Sequence, residues 1–353
     1  MDIQREPYGE TRDGQEVGLF TLRNSNQMET KITNYGGRIV TLLAPDRDGN
    51  PDDLVLGFDS LEGYLGANPY FGALIGRCAN RIENARISIQ GVDHRLSKND
   101  GDHHSHGGQR GFDKVVWAAN IAEVEGHVML ELHYLSKDGE EGYPGNLSVT
   151  VRYSLTEANE LRIRYLAETD KTTVVSLTNH SYFNLSGHGS GDALDHEIMI
   201  DADSFTEICA GRYTTGRYLR VDDTPMDLRQ RRPIRARMFE DNQQLSWAIG
   251  GYDLNWVLKV GGKSPEKFSE VYDPSSGRIM EVETTMPGVQ FYVGNKLKTG
   301  LVGKNGARYG PYSGLCLETQ HFPNAAKHPH FPSPLLRPGE RYDHTTIYRF
   351  KVE

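Results

Sequence analysis

The sequence predicts an all-β protein, built as a large antiparallel β-sandwich with few short helices. Three observations predict it: apolar and polar residues alternate with a period of two in many segments, helical periodicity is scarce, and 38 of the 353 residues are glycines, many in candidate turns. Because so many strands follow one another without helices between them, antiparallel sheets packed face to face are favoured. Such a fold can hold a long chain in one unit, so we expect a single domain over residues 1–353.

The clearest alternation lies in the middle of the chain. In residues 147–155 the odd positions are apolar or aromatic and the even ones polar, and the same alternation resumes over residues 161–165. Two such runs joined by a short polar loop predict a β-hairpin with one buried face. Residues 128–134 alternate in the same way and predict a further strand.

The remaining strands are shorter and follow from apolar or β-branched runs bounded by turn residues. In chain order they are predicted over residues 18–23, 29–34, 38–43, 54–58, 86–90, 115–122, 174–179, 197–203, 254–260, 268–272, 278–284, 289–294, 314–320 and 345–352. The compositions of residues 90–92 and 273–277 predict hairpin turns. A short helix is predicted over residues 59–65, with Asp59 or Ser60 as its N-cap, and a weaker pattern covers residues 234–248.

Composition and charge exclude several classes of protein. With 39 Lys and Arg against 48 Asp and Glu the net charge is −9, which disfavours a general nucleic-acid binder. No apolar run is long enough to cross a membrane, and residues 1–10 lack the features of a signal peptide, so we expect a cytoplasmic protein. The three cysteines (Cys78, Cys209 and Cys316) are scattered, which indicates neither a disulfide framework nor a zinc knuckle.

Histidines supply the first candidates for chemistry. His103, His104 and His106 share one loop beside two glycines, which is typical either of a ligand-binding loop or of a solvated polar one; their spacing matches no zinc motif. His180 follows an apolar run and precedes aromatic residues, as either a core histidine or a general acid would. As an acid it needs a raised pKa, which a neighbouring carboxylate could provide.

Acidic residues in apolar surroundings supply the second set. Glu318 lies in an apolar strand, on the same face as Cys316 and opposite Leu315 and Leu317. A buried carboxylate is costly unless it has partners, so Glu318 is paired, exposed at an edge or functional. Asp253 is a second acid beside aromatic residues.

Seven segments together resemble, in order, the motifs of the aldose 1-epimerases, also called galactose mutarotases. They are GRCANRI (76–82), HGGQRGFDKVVW (106–117), TNHSYFNL (178–185), GYDLNW (251–256), PGVQFYVGN (287–295), LCLETQHFPNA (315–325) and LRPGERYDHTTIYRF (336–350). They span nearly the whole chain, and residues 34–37 (NYGG) extend the resemblance towards the N-terminus. One such motif is weak evidence, whereas seven in order are strong.

The resemblance implies a galactose mutarotase-like β-sandwich with an open sugar cleft. It implies an isomerase that interconverts the α and β anomers of free aldoses such as glucose or galactose, without a metal, nucleotide or other cofactor. Glu318 would be the proton acceptor and His180 the proton donor. The implied sugar contacts are Asn80, Arg81, His106, Asp253 and Gln290, with His106 and Arg81 on the ring-oxygen side; the aromatic side chains Tyr182, Trp256 and Phe322 would suit an apolar sugar face. The implied partner is a small aldose, with no nucleic acid or membrane, and the protein would be a monomer or homodimer.

Departures from the family pattern leave the preferred sugar open. They are residues 102–105, Leu254 where many members carry histidine, and Val293 where threonine is usual. Three alternatives also stay open. A non-catalytic sugar-binding protein would share the fold; a sugar-phosphate epimerase needs an extra cationic site, and the basic run over residues 229–237 is interpreted as a solvated face. A lyase or hydrolase needs a second acid, which Asp253 could supply.

Overall fold

The computed structural model describes residues 2–66, 68–124, 127–260 and 263–353, and these form 29 strands and a few short helices. The strands up to residue 174 are β1 (Asp2–Glu10), β2 (Glu16–Arg23), β3 (Glu29–Thr33), β4 (Arg38–Pro45), β5 (Pro51–Asp53), β6 (Ala73–Ile75), β7 (Arg81–Ile82), β8 (Arg86–Ile89), β9 (Val92–Arg95), β10 (His104–Ser105), β11 (Ala118–Val124), β12 (His127–Ser136), β13 (Leu147–Leu155), β14 (Glu160–Thr169) and β15 (Thr173–Val174). The later strands are β16 (Thr178–His180), β17 (Glu197–Ile200), β18 (Ser204–Ile208), β19 (Thr214–Arg220), β20 (Arg232–Pro233), β21 (Asp253–Val257), β22 (Glu266–Tyr272), β23 (Arg278–Thr284), β24 (Gly288–Tyr292), β25 (Leu301–Val302), β26 (Arg308–Tyr309), β27 (Cys316–Gln320), β28 (Leu335–Leu336) and β29 (Tyr342–Val352).

Three larger sheets organise these strands. A nine-stranded sheet has the order β11-β12-β13-β14-β29-β23-β22-β17-β20, and two five-stranded sheets have the orders β1-β2-β3-β4-β5 and β19-β18-β21-β24-β27. Neighbouring strands in all three run antiparallel. The predicted hairpin over residues 147–165 is confirmed as β13 and β14, with Leu155 opposite Leu161.

The main hydrophobic core lies between the nine-stranded sheet and the β19-to-β27 sheet. It contains Val149 and Val151 of β13 together with Trp256 of β21, Phe291 of β24 and Leu317 of β27, all buried. Burial of apolar side chains from both sheets in one cluster confirms the predicted β-sandwich.

The same three strands carry a polar set on their other face. Since side chains alternate along a strand, Asp253, Gln290 and Glu318 point away from the core that holds Trp256 and Leu317. The register places Gln290 directly opposite Glu318 and Asn255 directly opposite Gln290. This row of polar groups is the surface on which the candidate site is built.

Helices are few, as predicted. They are α1 (Leu61–Leu65), α2 (Arg235–Met238) and α3 (Gln243–Trp247), with 3₁₀ turns at Glu83–Ala85, Phe112–Lys114, Glu140–Gly142, Lys304–Gly306 and Ala325–Lys327. Ser60 is the N-cap of α1, one of the two predicted caps, although its side chain makes no capping hydrogen bond. The pattern over residues 234–248 forms two short helices rather than one, because Asn242 interrupts it and caps α3 through the Gln244 N–H.

Several strand predictions differ from the structure. Residues 54–58 form no strand beyond an isolated bridge between Val55 and Phe183, although the N–H of Leu54 donates to the Leu42 carbonyl. The predicted strand over residues 174–179 is divided between the short strands β15 and β16. Strand β1 was not predicted: it pairs with β2 but is mostly exposed on both faces, so its sequence shows no alternation.

The basic run over residues 229–237, interpreted from the sequence as a solvated face, is held by ion pairs at the surface. Arg229, Arg231, Arg235 and Arg237 each lie within 4 Å of acidic partners. Among the described residues, no helix is long and apolar enough to cross a membrane.

Candidate active site

A cavity of about 260 Å³ opens over the polar face of the β19-to-β27 sheet. Its lining residues are Pro69, Tyr70, Asn80, Arg81, Asn99, Asp100, Ser105, His106, His180, Tyr182, Asp253, Tyr292, Lys296, Leu297 and Glu318. The structure therefore brings seven of the ten sequence-predicted site residues to the wall of one cavity. The eighth, Gln290, lies just behind the wall and bonds to Asp253.

Glu318 stands at the base of this cavity on β27. Its side chain is 3 % exposed, and among the described residues its Oε2 atom has no hydrogen-bond partner. Burial, reinforced by the negative charge of Asp253, raises the pKa of its carboxyl well above the ordinary value. The residue is thus a buried carboxyl group that opens onto a cavity rather than one balanced by a permanent cation.

His180 ends β16 and faces Glu318. Its Nε2 atom lies 3.6 Å from Glu318 Oε1, and its ring stacks on the rings of Tyr70 and Tyr182. Burial lowers the pKa of the imidazole to about 3. The raised pKa that the sequence analysis requires of a general acid is therefore not present in the free site, because the loss of hydration among these rings outweighs the attraction of nearby carboxylates.

The two shifts point to one shared protonation state. Both oppose charge in the buried pair, so burial favours a carboxylic acid on Glu318 and a neutral imidazole on His180 over their charged forms. An ion pair of carboxylate and imidazolium carries the same number of protons, so the two forms differ only in the position of one proton. A pair of this kind is described by apparent pKa values that belong to both groups together.

Cys316 contacts the other nitrogen of the same imidazole. Its Sγ lies 3.5 Å from His180 Nδ1, so the thiol does more than pack beside Glu318. Because Nδ1 faces this thiol, Nε2 is the ring nitrogen that faces Glu318, and it is therefore the atom placed to gain or lose a proton.

His106 and Asn80 form the opposite wall, where β7 and β10 meet. The backbone N–H of Asn80 donates to His106 Nδ1 at 3.4 Å, and the N–H of His106 donates to the Asn80 carbonyl at 3.1 Å. The His106 ring centroid lies 5.4 Å from that of His180. Gly107 permits this approach: its φ is +85°, and a Cβ atom there would lie 1.7 Å from the Gly76 oxygen.

Ion pairs hold the charged groups of the cavity. Arg81 donates through Nε to Asp100 Oδ2 at 2.7 Å. Asp253 accepts from Gln290 Nε2 at 2.8 Å on one oxygen and from Lys296 Nζ at 2.6 Å on the other. Burial opposes ionisation of Asp253, but Lys296 and Arg81 outweigh it and lower the pKa of the carboxyl to about 2.

Sequence reasoning missed Lys296, Tyr70 and Tyr292, all of which line the cavity. Lys296 directly follows the segment PGVQFYVGN, and this position in the sequence could have identified it as a candidate site residue. Tyr292 is two residues from Gln290 on the same strand, so period-two alternation places both on one face. Tyr70 lies in a loop, where no periodicity exists to indicate the direction of its side chain.

Two predicted aromatic contacts are wrong. Trp256 lies on the core face of β21, where it contacts Phe205 and Phe291 and donates through Nε1 to the Met226 carbonyl. Phe322 packs against Phe331 outside the cavity lining. Tyr182 does line the cavity.

Among the described residues, the side chains placed to hold a metal ion are not the three histidines of the loop. His104 is turned away from the cavity: its Nε2 contacts the Tyr143 hydroxyl at 2.7 Å and its Nδ1 contacts the Ser97 carbonyl. One donor atom each of His106, His180 and Glu318 lie within 4.8 Å of one another. Such a set resembles the ligands of divalent cations, but the Nδ1 atom of His106 already accepts the Asn80 N–H, which leaves the proton on Nε2.

Comparisons with known proteins agree with this geometry. The sequence model of the aldose 1-epimerase family matches residues 18–349. The chain is 45 % identical to a galactose mutarotase of Bos taurus over 353 residues, covering 100 % of this chain and 99 % of that protein, and 36 % identical to an aldose 1-epimerase of Escherichia coli, covering 97 % of each. A solved structure of galactose 1-epimerase from Lactobacillus acidophilus superposes with a TM-score of 0.86 at 27 % identity, covering 100 % of this chain and 99 % of that one. The chain belongs to the aldose 1-epimerase family.

Proposed function

We propose that this protein is an isomerase that interconverts the α and β anomers of free aldoses such as galactose and glucose. The observation that carries the proposal is the buried pair of Glu318 and His180, whose facing atoms lie 3.6 Å apart at the base of a sugar-sized cavity. Both groups needed for acid–base ring opening are therefore present within reach of one another. A protein that only binds sugars has no need of such a pair.

Ring opening needs two coordinated proton movements. When a sugar hydroxyl enters between the two groups, the proton of Glu318 passes to His180 Nε2, which gives a carboxylate and an imidazolium. Glu318 then takes the proton of the anomeric hydroxyl while His180 gives its proton to the ring oxygen. The bond between the anomeric carbon and the ring oxygen breaks, and its electron pair stays on that oxygen as the carbonyl forms.

Ring closure reverses these steps after the aldehyde turns about one carbon–carbon bond. The open-chain complex leaves a carboxylic acid on Glu318 and a neutral imidazole on His180, the state that burial favours. Burial thus lowers the free energy of the open-chain complex relative to the ion pair that precedes it, so the two proton transfers with the sugar return both groups to their uncharged forms.

The other polar groups would hold the sugar ring. Asp253, ionised because Lys296 and Arg81 lower its pKa, accepts hydrogen bonds from sugar hydroxyls. Arg81, Asn80 and His106 offer donors from the opposite wall, with Gln290 supporting Asp253, and the Tyr182 ring adds an apolar surface. Hydrolysis is disfavoured by the family to which the chain belongs, since the named relatives are mutarotases and epimerases.

The test of this function is the rate at which freshly dissolved α-galactose reaches equilibrium. In polarimetry, catalytic amounts of the protein are expected to accelerate the change in optical rotation well beyond the spontaneous rate, because both proton transfers are positioned in one cavity. Bovine serum albumin at the same concentration is the control. Equal rates with the two proteins would refute the proposal.

The pH dependence is expected to reflect the lowered pKa of His180. Activity is lost only when both groups are protonated, and because burial lowers that pKa to about 3, the loss belongs near pH 3 rather than near 6.5. On the alkaline side, activity falls only above the raised pKa of Glu318. After subtraction of the spontaneous rate, kcat/KM is therefore expected to show no acid inflection near pH 6.5; such an inflection would contradict a neutral His180.

Several broader statements are proposals that rest on the sequence. We propose one domain over residues 1–353, which the shared core of the two facing sheets supports. We also propose a cytoplasmic location, a monomer or homodimer, and a place in galactose and hexose metabolism.

A further inference from the structure

The charges around the cavity do not follow the charge of the whole chain. The chain carries a net charge of −9. At the cavity, however, the carboxylate of Asp100 is paired with both Arg81 and Arg212, and that of Asp253 is paired with Lys296. The two carboxylates are therefore balanced by three cations, of which Arg81 and Lys296 line the cavity and Arg212 lies outside its lining. Burial raises the pKa of the third acid of the lining, Glu318, well above its ordinary value.

Lys296 is the cation most available to a ligand. Its ammonium group lies 2.6 Å from Asp253 Oδ2, its side chain is 29 % exposed, and it lines the cavity. An ammonium group has three donors, so the contact with Asp253 leaves others for a bound molecule. The guanidinium of Arg81 is less free, because its side chain is only 10 % exposed and its Nε is committed to Asp100.

Lys296 lies at the end of the cavity that is remote from Glu318 and His180. Asp253 lies on β21, two strands from Glu318 on β27, which corresponds to ~10 Å between the strand backbones. The reacting anomeric centre belongs beside Glu318 and His180. The ammonium group of Lys296 therefore faces the substituents of the sugar remote from the anomeric carbon.

We infer that Lys296 is a specificity-determining residue that admits aldoses carrying an anionic group remote from the anomeric carbon. A carboxylate, as in a hexuronic acid, and a phosphate ester share the necessary chemistry, and each can accept a charge-assisted hydrogen bond from the ammonium group. This inference rests on the proposed function and narrows its substrate class. A cavity with a surplus of carboxylates would repel the same substrates.

The test compares three sugars with the intact protein. Exchange between anomers is measured by proton NMR at equilibrium for galactose, galacturonate and galactose 6-phosphate, with the wild type and three variants. Lys296→Met removes the charge and keeps the length of the side chain, Lys296→Arg keeps the charge, and Lys298→Met removes a charge two residues away as a matched control. Thermal unfolding checks that all variants are folded.

For the wild type, kcat/KM for galacturonate is expected to equal or exceed that for galactose. In Lys296→Met, the ratio of the two values is expected to fall at least about tenfold, the typical effect of one charge-assisted hydrogen bond. Lys296→Arg and Lys298→Met should leave it within about twofold. If the rate with galactose 6-phosphate depends on Lys296 in the same way, the negative charge is the feature that Lys296 recognises. If galactose 6-phosphate is not a substrate, the recognised group is the carboxylate.

The experiment distinguishes failure of the inference about Lys296 from failure of the proposed function. An unchanged ratio in Lys296→Met, or a wild type that discriminates strongly against both anionic sugars, would overturn the inference while leaving galactose exchange intact. Absence of galactose exchange in the wild type would instead overturn the proposed function.

Discussion

Glu318→Gln is expected to reduce kcat for anomer interconversion by about a thousandfold, within the range of ~10²–10⁴ for one positioned proton transfer. Glutamine has nearly the same shape but cannot accept the anomeric proton. Because kcat measures the chemical step, the loss belongs in kcat, with a smaller change in KM. Progress curves of α-galactose equilibration, followed by polarimetry over a range of sugar concentrations, measure both constants.

The stability of this variant separates chemistry from folding. Glu318 is buried, and among the described residues its Oε2 atom has no hydrogen-bond partner, so a neutral amide should cost no stability. The midpoint of thermal unfolding is therefore expected to be equal to or above that of the wild type. Glu270→Gln, which removes a partly exposed ion pair with Arg231, is the matched control and should keep native kcat. Native activity in Glu318→Gln would show that the base is another group.

His180→Asn should be of comparable severity, with kcat falling by about a hundredfold to a thousandfold. Asparagine cannot become a cation and so cannot give a proton to the ring oxygen. The expected loss again belongs in kcat, and the same polarimetric assay measures it. Removal of an imidazole that stacks on Tyr70 and Tyr182 also costs packing, so thermal unfolding must accompany the assay.

The histidine opposite provides the decisive comparison. His106→Asn tests the neighbouring ring, whose pKa is lowered well below its ordinary value mainly by burial. Its substitution is expected to raise KM more than it lowers kcat, because His106 is proposed to bind rather than to transfer a proton. His330→Asn, at an exposed position, is the neutral control. If His180→Asn keeps native kcat while His106→Asn loses it, the acid is His106.

The sequence predicted the parts of the site that periodicity governs. Alternation along residues 314–320 places Glu318 on the same side as Cys316 and opposite Leu317, and the structure has this arrangement. The same rule could have corrected the prediction for Trp256, because Trp256 follows Asp253 by three residues on the same strand. Side chains an odd number of residues apart on a strand lie on opposite faces, so Trp256 could not share the face of Asp253.

Other features depend on contacts between distant segments. Lys296 reaches Asp253 across a loop, and no local pattern indicates that pairing. The pKa of His180 depends on how many rings surround it, and three of them, Tyr70, Tyr182 and Tyr292, come from different segments. Sequence reasoning singled out Glu318 and His180, which the structure brings to 3.6 Å of one another, but it could not show that burial lowers the pKa of His180, because burial cannot be counted before the fold is known.

The three strands that carry the polar row also carry a large part of the core on their reverse side. Trp256, Phe291 and Leu317 pack inward from the same backbone that holds Asp253, Gln290 and Glu318 outward. A substitution that loosens the packing would therefore shift the catalytic groups before the chain unfolds. Activity is therefore expected to be more sensitive than folding to substitutions in this part of the core. A change in core volume that leaves the protein folded can still displace the site residues.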